Sequence, residues 1–237
     1  MSNLLGIVLP LAVGAAISPS ITVIVVALLA RKDYPRQRAL AFLIGVVGIM
    51  LVWAVIIWSA MWSLIQRLER DVDRYSTELL NDYSAVIDVC LGVLLLVIGI
   101  WRLLSKPKPA DTKSRFNISK LASGQYRRQV IFGAIMQGRN VTSLLLFFSA
   151  QQHIVSAPIP FFERVLVTLL VVVILSASTW LPMLVPTSET SKLRIWLRPV
   201  GDFMQAHSRV IEASAALVLG SYLIIRWLLF LFNFMPS

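Results

Sequence analysis

Acidic residues and cysteines are scarce in this sequence. The chain has 12 Asp and Glu against 22 Lys and Arg, and charged residues make up only 14% of it. Cys90 has no second cysteine to pair with, which excludes an internal disulfide and a paired-cysteine redox centre. His153 and His207 lie far apart with no cysteine beside either, so we expect no metal site and no bound cofactor.

Apolar residues are abundant. They form 57% of the 237 residues, and the mean hydropathy is +0.78. A soluble domain of this size needs a more polar surface, so the composition predicts lipid as the surrounding solvent. The net charge of +10 comes from basic residues between apolar runs. Membrane topology and contact with anionic lipid headgroups explain that placement better than nucleic-acid binding.

Six apolar segments are long enough to cross a membrane. A hydrocarbon core about 30 Å thick takes roughly 20 helical residues. Backbone groups in lipid must bond within their own segment, so each segment is predicted to be a helix and the fold class to be an all-α polytopic membrane protein. The segments are Leu4–Ala30, Ala39–Leu64, Ala85–Leu104, Val130–Gln152, Val165–Val185 and Val210–Phe232.

The basic residues concentrate on one side of this predicted topology. Four lie at the first connector, eight at the third and four at the fifth, out of 22 in the chain. Cytoplasmic loops carry the excess of Lys and Arg, so these connectors are predicted to face the cytoplasm. We therefore expect a multi-pass protein of a bacterial cytoplasmic membrane with both termini outside the cytoplasm.

An internal similarity divides the chain into halves. The third and sixth segments align without a gap, which matches Asp88 with Glu212 and Arg102 with Arg226. The other segments align in the same order. Each half has three spans, an odd number, so the second half is predicted to enter the membrane in the opposite direction, as in many transporters. The predicted units are 1–104, a basic cytoplasmic linker 105–129, and 130–237.

The first and fourth spans contain helix-breaking residues near their middles. Pro19, between two serines, removes a backbone donor in the first span, and residues 137–140 interrupt the fourth. Inverted-repeat transporters bind substrate where such breaks meet, although a packing kink is the alternative. The predicted substrate-binding residues are Ser18, Pro19, Ser20, Thr22, Gln137, Gly138, Arg139, Asn140 and Thr142.

Arg139 is the most informative of these residues. A guanidinium near the bilayer centre costs roughly 2.5–3.5 kcal/mol or more unless it is paired or hydrated. No acid lies in the middle of any predicted span, so an anionic substrate group or a polar cavity is the favoured partner. The alternative is a structural arginine bonded to the carbonyls that Pro19 leaves free.

Asp88 and Glu212 are candidates for proton coupling. They occupy matching positions, but both fall in the first turn of a predicted span, where the helix dipole stabilises an anion. That alternative gives them a purely structural role. The sequence shows no nucleophile–base pair and no phosphate-binding loop, so we predict no catalytic residues and no enzyme activity.

The connector from Ile65 to Tyr83 has an amphipathic helical pattern. Its apolar residues recur at spacings of three and four, while acids and Arg74 occupy the other face. The pattern predicts a helical extension of the second span on the outer surface. A homodimer contact is the sharper hypothesis.

The two breaks resemble those of a known family. Ala16-Ile17-Ser18-Pro19-Ser20 and Gln137-Gly138-Arg139-Asn140 resemble the signature breaks of the glycopeptidolipid-addressing protein (GAP) family, part of the lysine-exporter (LysE) superfamily. The second motif usually reads Asn-Pro-Lys-Asn in that family, so only Asn140 matches it. The resemblance implies six spans, an inverted repeat and export, with glycolipids or lipopeptides as the associated substrates. Other superfamily members export amino acids or metal cations.

These observations favour an exporter or flippase for an amphipathic anionic molecule, such as a glycolipid or lipid-linked intermediate. Two alternatives stay open. One is a proton-coupled exporter of a small amino-acid-like solute. The other is a non-transporting accessory subunit of a larger envelope lipid export complex, docked through 65–83 and the basic loop 102–128.

Overall fold

The computed structural model describes residues 2–29, 34–71, 76–105, 126–184 and 190–234. Every regular element in these ranges is helical. One of them is a 3₁₀ turn, Leu181–Leu184. The α-helices are α1 Ser2–Ala16, α2 Pro19–Leu29, α3 Pro35–Asp71, α4 Ser76–Leu104, α5 Tyr126–Gly138, α6 Val141–Ser156, α7 Phe161–Leu175, α8 Ala177–Trp180 and α9 Thr190–Phe234.

The described helices account for three to six membrane spans. Pro35–Ser63, Val86–Leu104 and Ala206–Leu228 are each long and apolar enough to cross a bilayer alone. Three further spans result if each bent pair, α1–α2, α5–α6 and α7–α8, crosses as one unit. The prediction of an all-α polytopic membrane protein is confirmed. The inverted repeat stays a prediction.

Two helix breaks occur where the sequence predicts them. The chain bends by 56° between α1 and α2 and by 77° between α5 and α6. Pro19 is the first residue of α2, a position where its missing N–H costs nothing within the new helix. Asn140 caps α6, because its side-chain oxygen accepts a hydrogen bond from the backbone N–H of Ser143. The prediction of broken first and fourth helices is confirmed.

A third bend, which the sequence analysis missed, interrupts the fifth segment. The chain turns by 44° between α7 and α8, at Ser176. The Ser176 hydroxyl donates to the carbonyl of Val173 at 3.0 Å, a local bond that competes with regular helix geometry. The surrounding run of valines and leucines hides this bend from a hydropathy pattern.

The helices pack into two apolar clusters. One joins α1, α3, α4, α6, α7 and α9, and the other joins α2, α3 and α5. Contact between α3 and α5 requires glycine, because a Cβ on Gly45 would overlap the Val130 carbonyl and one on Gly133 would overlap that of Phe42. The close approach holds α5, and therefore its break, against α3.

Helices α4 and α9 run antiparallel. Gly92 lies opposite Gly220, and Gly99 lies opposite Ala213, so residue numbers rise along one helix as they fall along the other. At the end of α4, Arg209 donates to the carbonyls of Arg102 and Leu103. A cation that binds the last carbonyls stabilises a helix C-terminus. This pair places charged residues of α4 and α9 beside each other at both of its ends.

The connectors differ from the predicted bounds. Helix α3 continues to Asp71 and α4 begins at Ser76, so most of the 65–83 connector is helical extension from both sides. Its side chains lie outside the described residues, and the dimer contact stays a prediction. Helix α5 begins at Tyr126, inside the predicted linker 105–129. Residues 106–125 of that linker also lie outside the described ranges.

Candidate substrate cavity at the two helix breaks

The two helix breaks are in direct contact. The side-chain amide of Asn140 donates to the hydroxyl oxygen of Ser18 at 3.0 Å. Ser18 is only 4% exposed, so this bond is shielded from solvent. It ties the start of α2 to the start of α6.

Ser143 satisfies the carbonyl that Pro19 leaves free. In a continuous helix the Ala15 carbonyl would accept a hydrogen bond from residue 19, but proline has no N–H. The Ser143 hydroxyl donates to that oxygen instead, at 2.8 Å. Gln137 in turn donates to the Ser143 hydroxyl at 3.1 Å. Side chains of the second break therefore complete the backbone hydrogen bonding of the first.

A cavity of about 330 Å³ lies beside this junction. One part of its wall is polar or charged and the other part is apolar, so it can hold both a headgroup and a hydrocarbon segment. The polar lining residues are Ser18, Ser20, Arg102, Arg139, Asn140 and Glu212, and the apolar ones are Ile21, Ile24, Phe132 and Met136.

The charges in the cavity are unequally paired. Arg102 forms an ion pair with Glu212, whose other oxygen accepts a hydrogen bond from the Ser20 hydroxyl at 2.9 Å. The Arg139 side chain is exposed to the cavity and makes no hydrogen bond or ion pair within the described ranges. Two guanidinium groups thus face one carboxylate, leaving a formal charge of +1. The alternative that Arg139 binds the carbonyls freed by Pro19 is wrong for the Ala15 carbonyl, because the Ser143 hydroxyl donates to that oxygen.

Two helices also begin at this cavity. Ser18 and Ser20 lie at the start of α2, and Asn140 lies at the start of α6. The unpaired N–H groups of a helix N-terminus carry a partial positive charge. Together with Arg139 they make this cavity electrostatically suited to an anion.

Comparison with known proteins identifies the family. The family described as Sap, sulfolipid-1-addressing protein, matches residues 8–226. The chain belongs to this family. The match confirms the resemblance predicted from the two breaks, while membership of the LysE superfamily stays a prediction. No curated protein and no solved structure matches the chain. With its apolar helices, this Sap-family member is a membrane-embedded protein of lipid addressing or export.

The structure distributes the predicted binding residues between lining and support. Ser18, Ser20, Arg139 and Asn140 line the cavity of this Sap-family protein. The other five belong to the two breaks but do not line the cavity. Pro19 begins α2, Gly138 ends α5, and Thr142 is buried in α6. Thr22 donates to the Ser18 carbonyl, and buried Gln137 donates to Ser143. Their part in binding substrate stays a prediction.

Asp88 and Glu212 lie deep inside their helices. Helix α4 begins at Ser76, twelve residues before Asp88, and α9 begins at Thr190, far before Glu212. The helix-dipole interpretation of both acids is therefore wrong, because that effect fades within the first turn. Glu212 lines the cavity, whereas Asp88 belongs to a separate buried group.

That second group also contains His153 and Arg226. Asp88 is 5% exposed; one of its oxygens accepts from the Ser149 hydroxyl at 3.0 Å, and the other lies 2.8 Å from His153 Nε2 and 3.5 Å from Arg226 Nη1. Within the described ranges, no three His, Cys, Asp or Glu side chains come together as a possible metal site.

The sequence analysis missed Arg102 and His153. Fourteen residues separate Asp88 from Arg102 and also Glu212 from Arg226. An antiparallel helix pair with these spacings brings each acid opposite the other helix's arginine, so the signal for Arg102 was present. His153 carried no such signal, because its partner Asp88 is 65 residues away in the chain.

Proposed function

We propose that this Sap-family protein is an exporter or flippase that moves an anionic amphipathic lipid across the cytoplasmic membrane. One observation carries the proposal: among the residues that the structure describes, the Arg139 side chain faces the cavity without a hydrogen-bond or ion-pair partner, whereas the neighbouring Arg102 is paired with Glu212. A partly open cavity with one unmatched guanidinium is complementary to a single anionic headgroup.

The chemistry of the lining supports a lipid rather than a small polar solute. Guanidinium binds phosphate, sulfate and carboxylate with two parallel hydrogen bonds. The apolar side of the cavity, formed by Ile21, Ile24, Phe132 and Met136, suits the first part of a hydrocarbon chain. The family name refers to a sulfolipid, which belongs to the same class of anionic amphipaths.

The Arg102–Glu212 pair supports release of the substrate. Glu212 neutralises Arg102 and repels an anion, so a headgroup held by Arg139 meets only one free cation. A transporter must bind its substrate weakly enough to let it leave, and a second free arginine would oppose that step. Glu212 therefore tunes the affinity of the cavity.

The membrane placement belongs to the same proposal. Both termini lie outside the cytoplasm, and the connectors rich in Lys and Arg face the anionic inner leaflet. There they raise the local concentration of anionic lipid. Contact with a second copy through 65–83, or with a larger envelope transporter, stays a prediction.

Reconstitution tests the proposal. Proteoliposomes would carry fluorescently labelled phosphatidylglycerol, and the fraction of probe accessible to an impermeant quencher would be followed over time. We expect Arg139→Gln to slow translocation by about tenfold or more, because a charge-assisted hydrogen bond contributes about 1.5–3 kcal/mol. Arg127→Gln makes the same charge change at an exposed position outside the cavity and removes only one of the eight basic residues near its connector, so it is expected to change the rate far less.

A labelled phosphatidylcholine probe completes the design. Its headgroup has no net charge, so Arg139→Gln is expected to affect its translocation far less. Equal rates for the Arg139→Gln protein and the unsubstituted protein with the anionic probe would overturn the proposal. Arg139-dependent binding of that probe without any translocation would instead support the accessory-subunit alternative.

A further inference from the structure

His153, Asp88 and Arg226 meet at a single ring nitrogen. His153 Nε2 lies 2.8 Å from Asp88 Oδ2 and 3.0 Å from Arg226 Nη1. The three side chains come from α6, α4 and α9, and the first two are more than nine-tenths buried. They lie at the opposite end of the α4–α9 pair from the Arg102–Glu212 ion pair.

The hydrogen-bonding capacity of Nε2 makes this arrangement sensitive to one proton. An imidazole nitrogen has a single site in the ring plane, which either donates or accepts. The Asp88 carboxylate only accepts and the Arg226 guanidinium only donates. Nε2 without a proton therefore accepts from Arg226, and its lone pair then leaves the Asp88 carboxylate without a donor. Nε2–H instead donates to Asp88, and its proton then faces the N–H groups of Arg226.

We propose that His153 and Asp88 form a proton-binding site that controls the position of Arg226. With His153 neutral and its proton on Nδ1, the cluster has a formal charge of zero, and Nε2 accepts from Arg226. Uptake of one proton from solvent at Nε2 raises the formal charge to +1, transfers the hydrogen bond to Asp88 and repels Arg226. The proposal concerns this second cluster and is independent of the substrate bound in the cavity.

Arg226 has space into which it can move. Its side chain is 32% exposed and borders a groove of about 580 Å³ on α9. The groove is open and mainly apolar, with one hydroxyl, Ser221, and the phenol of Tyr222 as polar neighbours. A guanidinium displaced from His153 therefore has an open groove beside it.

The described helices packed around His153 carry few other charged side chains. Helix α1 contains no charged residue, and α3 contains none between Arg38 and Arg67. On α7, Glu163 and Arg164 lie in the first turn, and Arg164 donates to the Ala157 carbonyl beyond the end of α6. Within the described ranges, the charge that faces His153 therefore comes from Asp88 and Arg226.

The α4–α9 pair has one ion pair at each end, and the proton site affects how one of these ends is attached to α6. Arg102–Glu212 borders an open cavity, while Asp88–Arg226 is joined to α6 through His153 and Ser149. Release of Arg226 removes a link between α9 and α6. Protonation at His153 would thereby weaken the attachment of α9 to α6 at this end of the α4–α9 pair.

Nitrogen NMR of histidine tests the proton site. His207 is exposed and is the other histidine, so His207→Gln leaves His153 as the only labelled ring in the full chain. In lipid nanodiscs we expect His153 to change, as the pH is lowered, from a ring with an unprotonated Nε2 to a ring with protons on both nitrogens. Asp88→Asn, which removes the anion that stabilises the protonated ring, is expected to abolish or displace that change. A His153 signal that keeps one form throughout would overturn the proposal.

A thiol at Ser221 tests the movement of Arg226. In a Cys90→Ser background, a Ser221→Cys thiol ionises more readily when a guanidinium enters the groove, so its alkylation accelerates. The rate is compared at each pH with that of the same protein carrying His153→Gln, which cancels the ordinary effect of pH on thiols. We expect the ratio to rise as His153 gains its proton. A constant ratio would contradict movement of Arg226, whatever the outcome of the Arg139 experiments.

Discussion

The Asn140 side-chain amide donates to the Ser18 hydroxyl at 3.0 Å, which joins two helix breaks that are 122 residues apart in the chain. Each break leaves backbone groups that its own helix does not pair, and in lipid such groups have no water to bind. The Ser143–Ala15 bond and this Asn140–Ser18 bond show that the two breaks complete each other. The cavity lies beside this paired junction.

Asn140 is therefore expected to be important for stability as well as for the cavity. Asn140→Ala removes both the α6 cap and the bond to Ser18, and a lost cap costs about 1 kcal/mol. Thermal unfolding of the detergent-solubilised protein would measure the loss. Asn140→Asp retains the cap acceptor but lacks the amide donor, so its loss is expected to be smaller. Equal stability of the Asn140→Ala and unsubstituted proteins would contradict this role.

Glu212→Gln is expected to tighten binding of an anionic lipid. The substitution leaves Arg102 without its carboxylate while an amide can still accept from Ser20, so two guanidinium groups face the cavity. We expect about a fivefold to tenfold gain in affinity for phosphatidylglycerol, since 1.4 kcal/mol corresponds to tenfold. Native mass spectrometry can measure it. Glu163→Gln makes the same charge change on α7, away from the cavity lining, and a similar gain there would contradict the assignment.

The contact between α3 and α5 predicts that glycine is required at Gly45. A Cβ there would overlap the Val130 carbonyl, which belongs to a rigid helical backbone, so Gly45→Ala should force the helices apart. We expect a loss of about 1–3 kcal/mol in unfolding free energy. Gly48 lies one turn away on the same helix with open space around it, so Gly48→Ala is the matched control. Equal stabilities for the two variants would refute the packing argument.

Gln151 anchors α6 to two other helices through one oxygen. Its Oε1 accepts from Trp58 Nε1 at 2.9 Å and from Thr168 Oγ1 at 3.0 Å, and the residue is fully buried. Gln151→Leu leaves the Trp58 and Thr168 donors without their acceptor. For each fully buried donor, we expect a loss of about 1–3 kcal/mol in the free energy of unfolding. Thr168→Val removes one donor and is expected to cost less. The double substitution should be more stable than Gln151→Leu alone if the stranded hydroxyl causes the loss.

The helix breaks were predictable because their chemistry is local. Pro19 lacks a donor wherever it stands, and Gln137-Gly138-Arg139-Asn140 combines a flexible residue with a good helix cap. The Ser176 bend was missed because one serine in an apolar run has no such local signature. Its effect depends on the hydrogen bond that its hydroxyl makes with Val173.

The roles of the charged residues were not predictable in the same way. Asp88 and Glu212 sit in the first turn of their predicted apolar segments, but the helices themselves begin much earlier. Hydropathy locates the edge of an apolar run and not the start of a helix, so the dipole interpretation followed from the wrong boundary. The partners of both acids come from other helices, at separations that sequence spacing within one helix does not cover.

The sequence by itself determined the membrane environment, the helical fold class and the two breaks, since apolar length, proline chemistry and helix capping act within a few residues of the chain. Only the tertiary structure decided which breaks meet and that Ser143 replaces the missing donor of Pro19. It also decided that Arg102 is paired, while the Arg139 side chain has no partner among the described residues and faces the cavity. Finally, it placed His153 between Asp88 and Arg226. These relationships depend on the packing of whole helices, because each joins side chains that only the folded chain brings within hydrogen-bonding distance.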